Sequence, residues 1–103
     1  MDPNFVLALN NLGWIRATQA DPKIRDGSEA TRLALKAVNL TGGNNPSTLD
    51  TLAAAYAESG QFQQAVGTAQ SAIQIASAAG QTNLVSDIGS RLKLYQSQQA
   101  YRE

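Results

Sequence analysis

Apolar residues along this chain recur every three or four positions, and each such run stops at a cluster of Gly, Asn or Pro. That spacing predicts helices with one buried face, five of them. The first covers residues 4–18, with Asp2 as its cap, Pro3 in its first turn, and a stripe of Phe5, Leu9, Leu12 and Gly13 widened by Trp14 and Ile15. The second covers residues 27–41. Asp26 followed by Glu29 has the spacing of a capping box, the stripe is Ala30, Leu33, Ala34, Ala37, Val38 and Leu40, and Gly42-Gly43-Asn44-Asn45 ends it. The third covers residues 46–59, capped by Asn45, opened by Pro46 and closed by Gly60. The fourth covers residues 62–79, with Ala65, Val66, Ala69, Ala72, Ile73 and Ala76 inward and Gly80 as its stop. The fifth covers residues 83–98, capped by Thr82, with Val85, Ile88, Leu92 and Tyr95 as its stripe. Residues 100–103 are expected to fray.

No segment alternates with period two over a useful length, so the fold class is all-α. Residues 19–26 are polar, contain Pro22 and form the one longer loop; the other connections are short, which makes consecutive helices antiparallel neighbours. Three helices repeat one pattern of large, large, small, large. It is complete in Leu49, Leu52, Ala53, Tyr56 and in Val85, Ile88, Gly89, Leu92, and begins in Leu9, Leu12, Gly13, where Arg16 takes the last place. The helices between them share a second pattern: Ala65, Ala69, Ala72, Ile73, Ile75 against Ala30, Ala34, Ala37, Val38, Leu40. A small residue at one height lets a neighbouring helix approach, and bulky residues above and below fill the groove. A single pair of such helices cannot bury its apolar faces and must stack on further copies.

This arrangement resembles the tetratricopeptide repeat (TPR), through Leu49, Leu52, Ala53, Tyr56, Gly60, Phe62, Ala65, Ala69 and Ala72, and in the first unit through Leu9, Leu12, Gly13, Ala30, Ala34 and Ala37. The resemblance implies antiparallel helix-turn-helix units stacked as a short right-handed solenoid: unit 1 over residues 4–41, unit 2 over 46–79, and a C-terminal capping helix over 83–98 with Ser86, Asp87, Ser90, Arg91 and Gln96 facing out. The first turn is about five residues longer than the family pattern and is expected to project from the convex edge. The closing Pro is missing from both units, so the fourth helix is expected to run on by about a turn. With fewer than the roughly three units such stacks need, the chain is expected to be a piece of a longer protein.

The resemblance further implies a protein-interaction module that binds a peptide or protein on the concave face. The corresponding positions here are Asn10, Asn11, Trp14, Ala17, Asp50, Ala54, Ala57, Glu58, Ser86, Ser90 and Lys93. Asn offers a peptide backbone both donor and acceptor. Trp14 is either an aromatic anchor for a partner or core packing against its own second helix and the long loop. The Lys/Arg clasp with which some TPR proteins hold a C-terminal carboxylate is missing, since Lys93 is the only base among these positions; the acidic pair Asp50 and Glu58 favours a basic or neutral peptide. Arg16 is read as a salt bridge to Asp26 or Glu29 pinning the long loop, or as a solvated side chain without a partner.

Composition narrows the alternatives. Eight basic and eight acidic residues cancel, and no basic stripe interleaves with aromatics, so neither nucleic acid nor an acidic membrane surface is expected as a partner. The charged fraction, 16%, is below the roughly 25% usual for soluble domains, which leaves little repulsion between copies. A second reading is therefore self-assembly, as a dimer through the outer Phe5, Val6 and Ile15 or by helix exchange at the 42–45 hinge; a third is an accessory domain of a larger enzyme. The chain has no His and no Cys, and Gly42-Gly43-Asn44-Asn45 lacks the Lys and Ser/Thr of a phosphate loop. No catalytic residue, cofactor site or metal site is expected. No signal segment or membrane span is visible, and the expected location is the cytoplasm.

Overall fold

The computed structural model describes residues 3–103 and folds into five helices: α1 (Pro3–Thr18), α2 (Gly27–Leu40), α3 (Pro46–Glu58), α4 (Phe62–Ala78) and α5 (Thr82–Gln96). No strand occurs among the described residues. Local chemistry explains most boundaries. Asp26 accepts the Glu29 backbone N–H at 3.1 Å and starts α2. The box is only half made, because the Glu29 carboxylate turns to Arg32 and the Asp26 backbone N–H donates to the Arg16 carbonyl. Asn45 caps α3 by accepting from the N–H groups of Ser47 and Thr48, with Pro46 in the first turn. Gly42 and Gly43 take φ of +71° and +76°, which an L side chain resists, and they reverse the chain between α2 and α3. Thr82 is not a cap: α5 begins on it, Gln81 holds the cap position, and no side chain bonds the first turn. The proposed Asp2 cap lies outside the described residues.

Each helix packs on its neighbour in sequence, and α1 also packs on α3. α3 is the central element, with residues 48–55 buried without interruption. Two clusters flank it. One joins Leu49, Ala53 and Ala57 of α3 to Ala65, Ala69 and Ala72 of α4 and to Ile88 and Tyr95 of α5; the other joins Leu52, Ala54 and Ala55 to Ala17 of α1 and Ala30 and Ala34 of α2. Alanines without exposed surface dominate both, so the helices meet at short separation. Val38 and Tyr56 touch both clusters and make the core continuous.

The stripe assigned to α1 is rotated from its expected position. Phe5, Leu12 and Ile15 are 45%, 42% and 42% exposed, whereas Gly13, Ala17 and Thr18 are buried and Leu9 and Trp14 are half-buried. α1 carries apolar residues on every side, so periodicity alone does not choose its inner face. No helix among the described residues is long and apolar enough to cross a membrane.

Tyr95 is 1% exposed, and its hydroxyl is buried without a hydrogen-bond partner. Burial, reinforced by the nearby Asp50 carboxylate, pushes the phenol well above its ordinary value, so it stays neutral. An unpaired buried hydroxyl keeps its desolvation cost without recompense. Tyr95→Phe is therefore expected to raise stability by about 1 kcal/mol, read as a higher urea midpoint at unchanged slope.

Candidate functional site

The α1–α3 contact gathers part of the expected constellation. Asn10, Asn11 and Trp14 of α1 and Asp50 of α3, together with Ser47 and Thr51, line a cavity of about 230 Å³. Asn10 and Ser47 also border a neighbouring hollow of about 420 Å³ that runs past Val6, Leu7 and Leu40 toward the α2–α3 turn. The Asn10 Oδ1 atom, buried between the two, bonds no other protein group. This corner thus presents amide donors and acceptors, one indole and an apolar flank within a few turns of helix.

Other expected positions are placed differently. Asp50 is 7% exposed rather than open to a partner. Arg91 of α5 bonds it in bidentate fashion, Nη2 to Oδ2 at 2.6 Å and Nε to Oδ1 at 3.1 Å. Arg91, expected to face out, is instead buried to 14% side-chain exposure by this pair. Burial pushes the Asp50 carboxyl above its ordinary value; the Arg91 guanidinium offsets part of the shift, and Asp87 adds slightly to it. Ala54 and Ala57 are core residues, 1% and 2% exposed, and contact no solvent-borne partner. Ser86, Ser90 and Lys93 are exposed on α5 but outside the lining of the α1–α3 cavity, and the Ser90 hydroxyl donates to the Ser86 carbonyl.

Glu58 is half-buried and saturated by two arginines. Arg25 Nε stands 3.2 Å from Oε1, and Arg102 Nη2 stands 3.0 Å from the same oxygen. The acidic middle expected to attract a basic peptide is therefore neutralised within the chain, Asp50 by Arg91 and Glu58 by Arg25 and Arg102. Arg25 also corrects the expectation for the long loop. Residues 19–26 do not project but fold back against the end of α3, where a β-carbon at Gly27 would stand 2.7 Å from Ser59 Oγ. Arg16 pins this loop, its guanidinium donating to the Ile24 carbonyl at 2.9 Å and its own carbonyl accepting from the Asp26 backbone N–H at 2.7 Å, rather than by a salt bridge to the Asp26 or Glu29 carboxylate.

The expected frayed end is ordered. Gln98, at φ +59°, turns the chain out of α5, and the Glu103 backbone N–H donates to the Thr18 carbonyl of α1 at 2.8 Å. Trp14 takes the packing role of the two offered for it, and its polar edge is turned to the end of its own chain. It packs on the α1–α2–α3 cluster, and its indole N–H donates to Glu103 Oε1 at 2.6 Å while its ring meets that of Tyr101 at 5.8 Å between centroids. The Arg91 guanidinium lies 5.1 Å from the Trp14 ring and 5.4 Å from the Tyr101 ring. Arg25, Arg91, Tyr101 and Arg102 are thus site residues that the sequence reading missed. A signal for Arg91 was present. It follows Ile88 by three positions, as Ala55 follows Leu52, and a charge at such a height needs a partner. No protein-family model, no curated protein and no solved structure matches the chain.

Proposed function

We propose that the chain is a TPR-like stack, two helix pairs and a closing helix wound as a short right-handed solenoid, and that it serves as a protein-interaction module. It acts by binding a protein or peptide, not by catalysis, and needs no cofactor. The observation that carries this reading is the α1–α3 contact. It sets Asn10, Asn11 and Trp14 around one cavity beside an unpaired amide oxygen, the arrangement expected where first helices of successive pairs line a common face. Small residues support it: Gly13 and Ala53 stand at equal heights in α1 and α3, and both are buried. The binding set that follows is Asn10, Asn11 and Trp14; Asp50 and Glu58 act from behind as charge partners of the arginines.

Peptides selected from a random display library against the chain test this. Amide shifts on binding are expected to concentrate at residues 10–18 and 47–51, and Asn10→Ala combined with Asn11→Ala is expected to weaken binding by about tenfold, as for the loss of one charged-free hydrogen-bond pair. Shifts confined to α2 and α4 would place binding on the opposite side and end this reading.

A second reading, self-assembly, is favoured by one feature. Phe5, Ala8, Leu12 and Ile15 are all exposed, and their spacing of three, four and three forms a seam down the outer side of α1. Leu12→Glu with Ile15→Glu is expected to abolish any rise of light-scattering mass with concentration. A wild-type chain that stays monomeric at millimolar concentration removes this reading.

A further inference from the structure

We propose that residues 100–103 are an internal ligand of the binding face, and that the face selects from its partners a peptide of the same chemistry: an aromatic residue followed two positions later by an acid. This rests on the binding reading above and specifies its partner.

The segment is non-helical, yet every one of its residues is held by the fold. Ala100 and Tyr101 pack on the α3–α4–α5 cluster. The Tyr101 ring sits against Trp14 of α1 with the Arg91 cation of α5 near both rings. Arg102 reaches Glu58 of α3, and Glu103 is fixed at two points on α1, its backbone N–H on the Thr18 carbonyl and its carboxylate on the Trp14 indole. A segment anchored on α1, α3 and α5 together crosses the face those helices share, as a bound peptide would.

The chemistry of each anchor sets what it accepts. The Trp14 indole N–H is a donor only, so it selects an acceptor, and a carboxylate is the strongest available. The Arg91 cation, immobilised by Asp50, favours an aromatic face beside Trp14. The middle position is less demanding, because Arg25 already satisfies Glu58. Aromatic and acid therefore carry the selectivity, and the residue between them adds little.

The strap is also built to come off. Arg102 and Glu103 are exposed, so the Arg102–Glu58 ion pair is screened by water and salt, water competes for the Glu103 carboxylate, and the ordering of several residues opposes both contacts. Tethering gives the segment a high effective concentration at the face, so a partner peptide meets competition that disappears once the segment is released.

The test uses the full chain, its Tyr101→Ala/Glu103→Ala variant, and a synthetic peptide of residues 97–103. Trp14 is the only tryptophan, so its emission reports the face directly. The double substitution is expected to shift that emission and the added peptide to restore it, with binding at least tenfold tighter than to the wild-type chain. Peptides with Ala in place of either the Tyr or the Glu are expected to lose about tenfold or more. Glu103→Ala alone leaves the aromatic packing in place and is expected to give a smaller shift in the same direction; unchanged helical circular dichroism in both variants shows that the helices persist. Equal affinity for variant and wild type, no binding to the variant, or equal restoration by a peptide of scrambled order overturns the proposal. Library peptides that bind the variant at Asn10 and Asn11 without the aromatic–acid pattern would overturn it while leaving the binding reading intact; a variant that binds no peptide at all overturns both.

Discussion

Asp50→Ala is expected to lower stability by about 3 kcal/mol, the lower end for breaking a buried pair, because both side chains keep a little solvent contact. In a domain of this size that is a fall in melting temperature of about 12–24 °C. The cost arises mainly from what is left behind. Arg91 cannot shed its proton, so without Asp50 it stays as a buried cation with only the two ring faces as company. The reverse substitution behaves differently. With Arg91→Met the remaining carboxyl can escape by taking up a proton, and burial already pushes it in that direction. The sign follows from that direction. A carboxyl whose folded pKa lies above its unfolded value of about 3.9 contributes its full stability below that value and loses it as pH rises through the folded pKa. Arg91 offsets part of the shift in the wild type, so the deficit of Arg91→Met is expected to widen as pH is raised from 4 to 7, whereas that of Asp50→Ala is not. Replacing both, Asp50→Leu with Arg91→Met, removes the stranded charge and is expected to recover most of the loss. It also removes the cation beside Trp14 and Tyr101, so the Trp14 emission is expected to stay shifted although the fold is restored. A double variant as unstable as Asp50→Ala would show that shape, not charge, governs this position.

The contrast between these side chains and the helices themselves shows what a sequence can carry. The ends of α2, α3 and α4 fall within a residue of expectation because the determinants are local: Asp26 accepts the N–H three positions on and Asn45 those two and three positions on, Pro46 fits a first turn, and Gly42, Gly43 and Gly60 adopt φ values that other residues avoid. The inner side of α1 was legible only at Gly13, since its apolar residues lie all round and only contact with α2 and α3 selects Ala17 and Thr18 for burial over Phe5, Leu12 and Ile15. Likewise Asp50 reads as a groove residue until Arg91, 41 positions later, is brought against it. Residues 97–99 cap α5 through local backbone bonds, whereas residues 100–103 have no periodicity and are ordered by the α3–α4–α5 cluster and by Trp14, Thr18, Glu58 and Arg91. The candidate site was therefore half visible. Asn10, Asn11 and Trp14 can be brought to one cavity from their helix alone, and Arg91 carries a signal in its place after Ile88, but the pairing of Arg25 and Arg102 with Glu58 and the contacts of residues 100–103 cannot be read from the sequence.

One substitution made at two matching heights tests the packing on which the face depends. Gly13 in α1 and Gly89 in α5 occupy the same place in the large–large–small–large pattern, yet their surroundings differ. A β-carbon at Gly13 would stand 3.3 Å from Thr51 Cγ2 and 3.6 Å from both the Ala34 nitrogen and Leu33 Cβ; at Gly89 it would meet nothing within 4 Å. The expectation that all the small residues of the pattern are wedged between helices thus holds for Gly13 and Ala53 and fails for Gly89. Gly13→Leu adds four carbons: the first is already tight against Thr51 Cγ2 of α3 and in full contact with Ala34 and Leu33 of α2, which leaves no room for the other three. The expected cost is about 3 kcal/mol, the upper part of the overpacking range, with α1 displaced from α3 and the Asn10–Trp14–Asp50 cavity opened. Gly89→Leu adds a β-carbon that meets nothing within 4 Å and removes the backbone freedom that glycine keeps in an unfolded chain, so a gain of about 0.5–1 kcal/mol is expected. Urea unfolding of the two variants side by side decides the matter: opposite signs support close approach at Gly13, and losses of equal size would mean that helix packing at this height does not depend on the missing side chain.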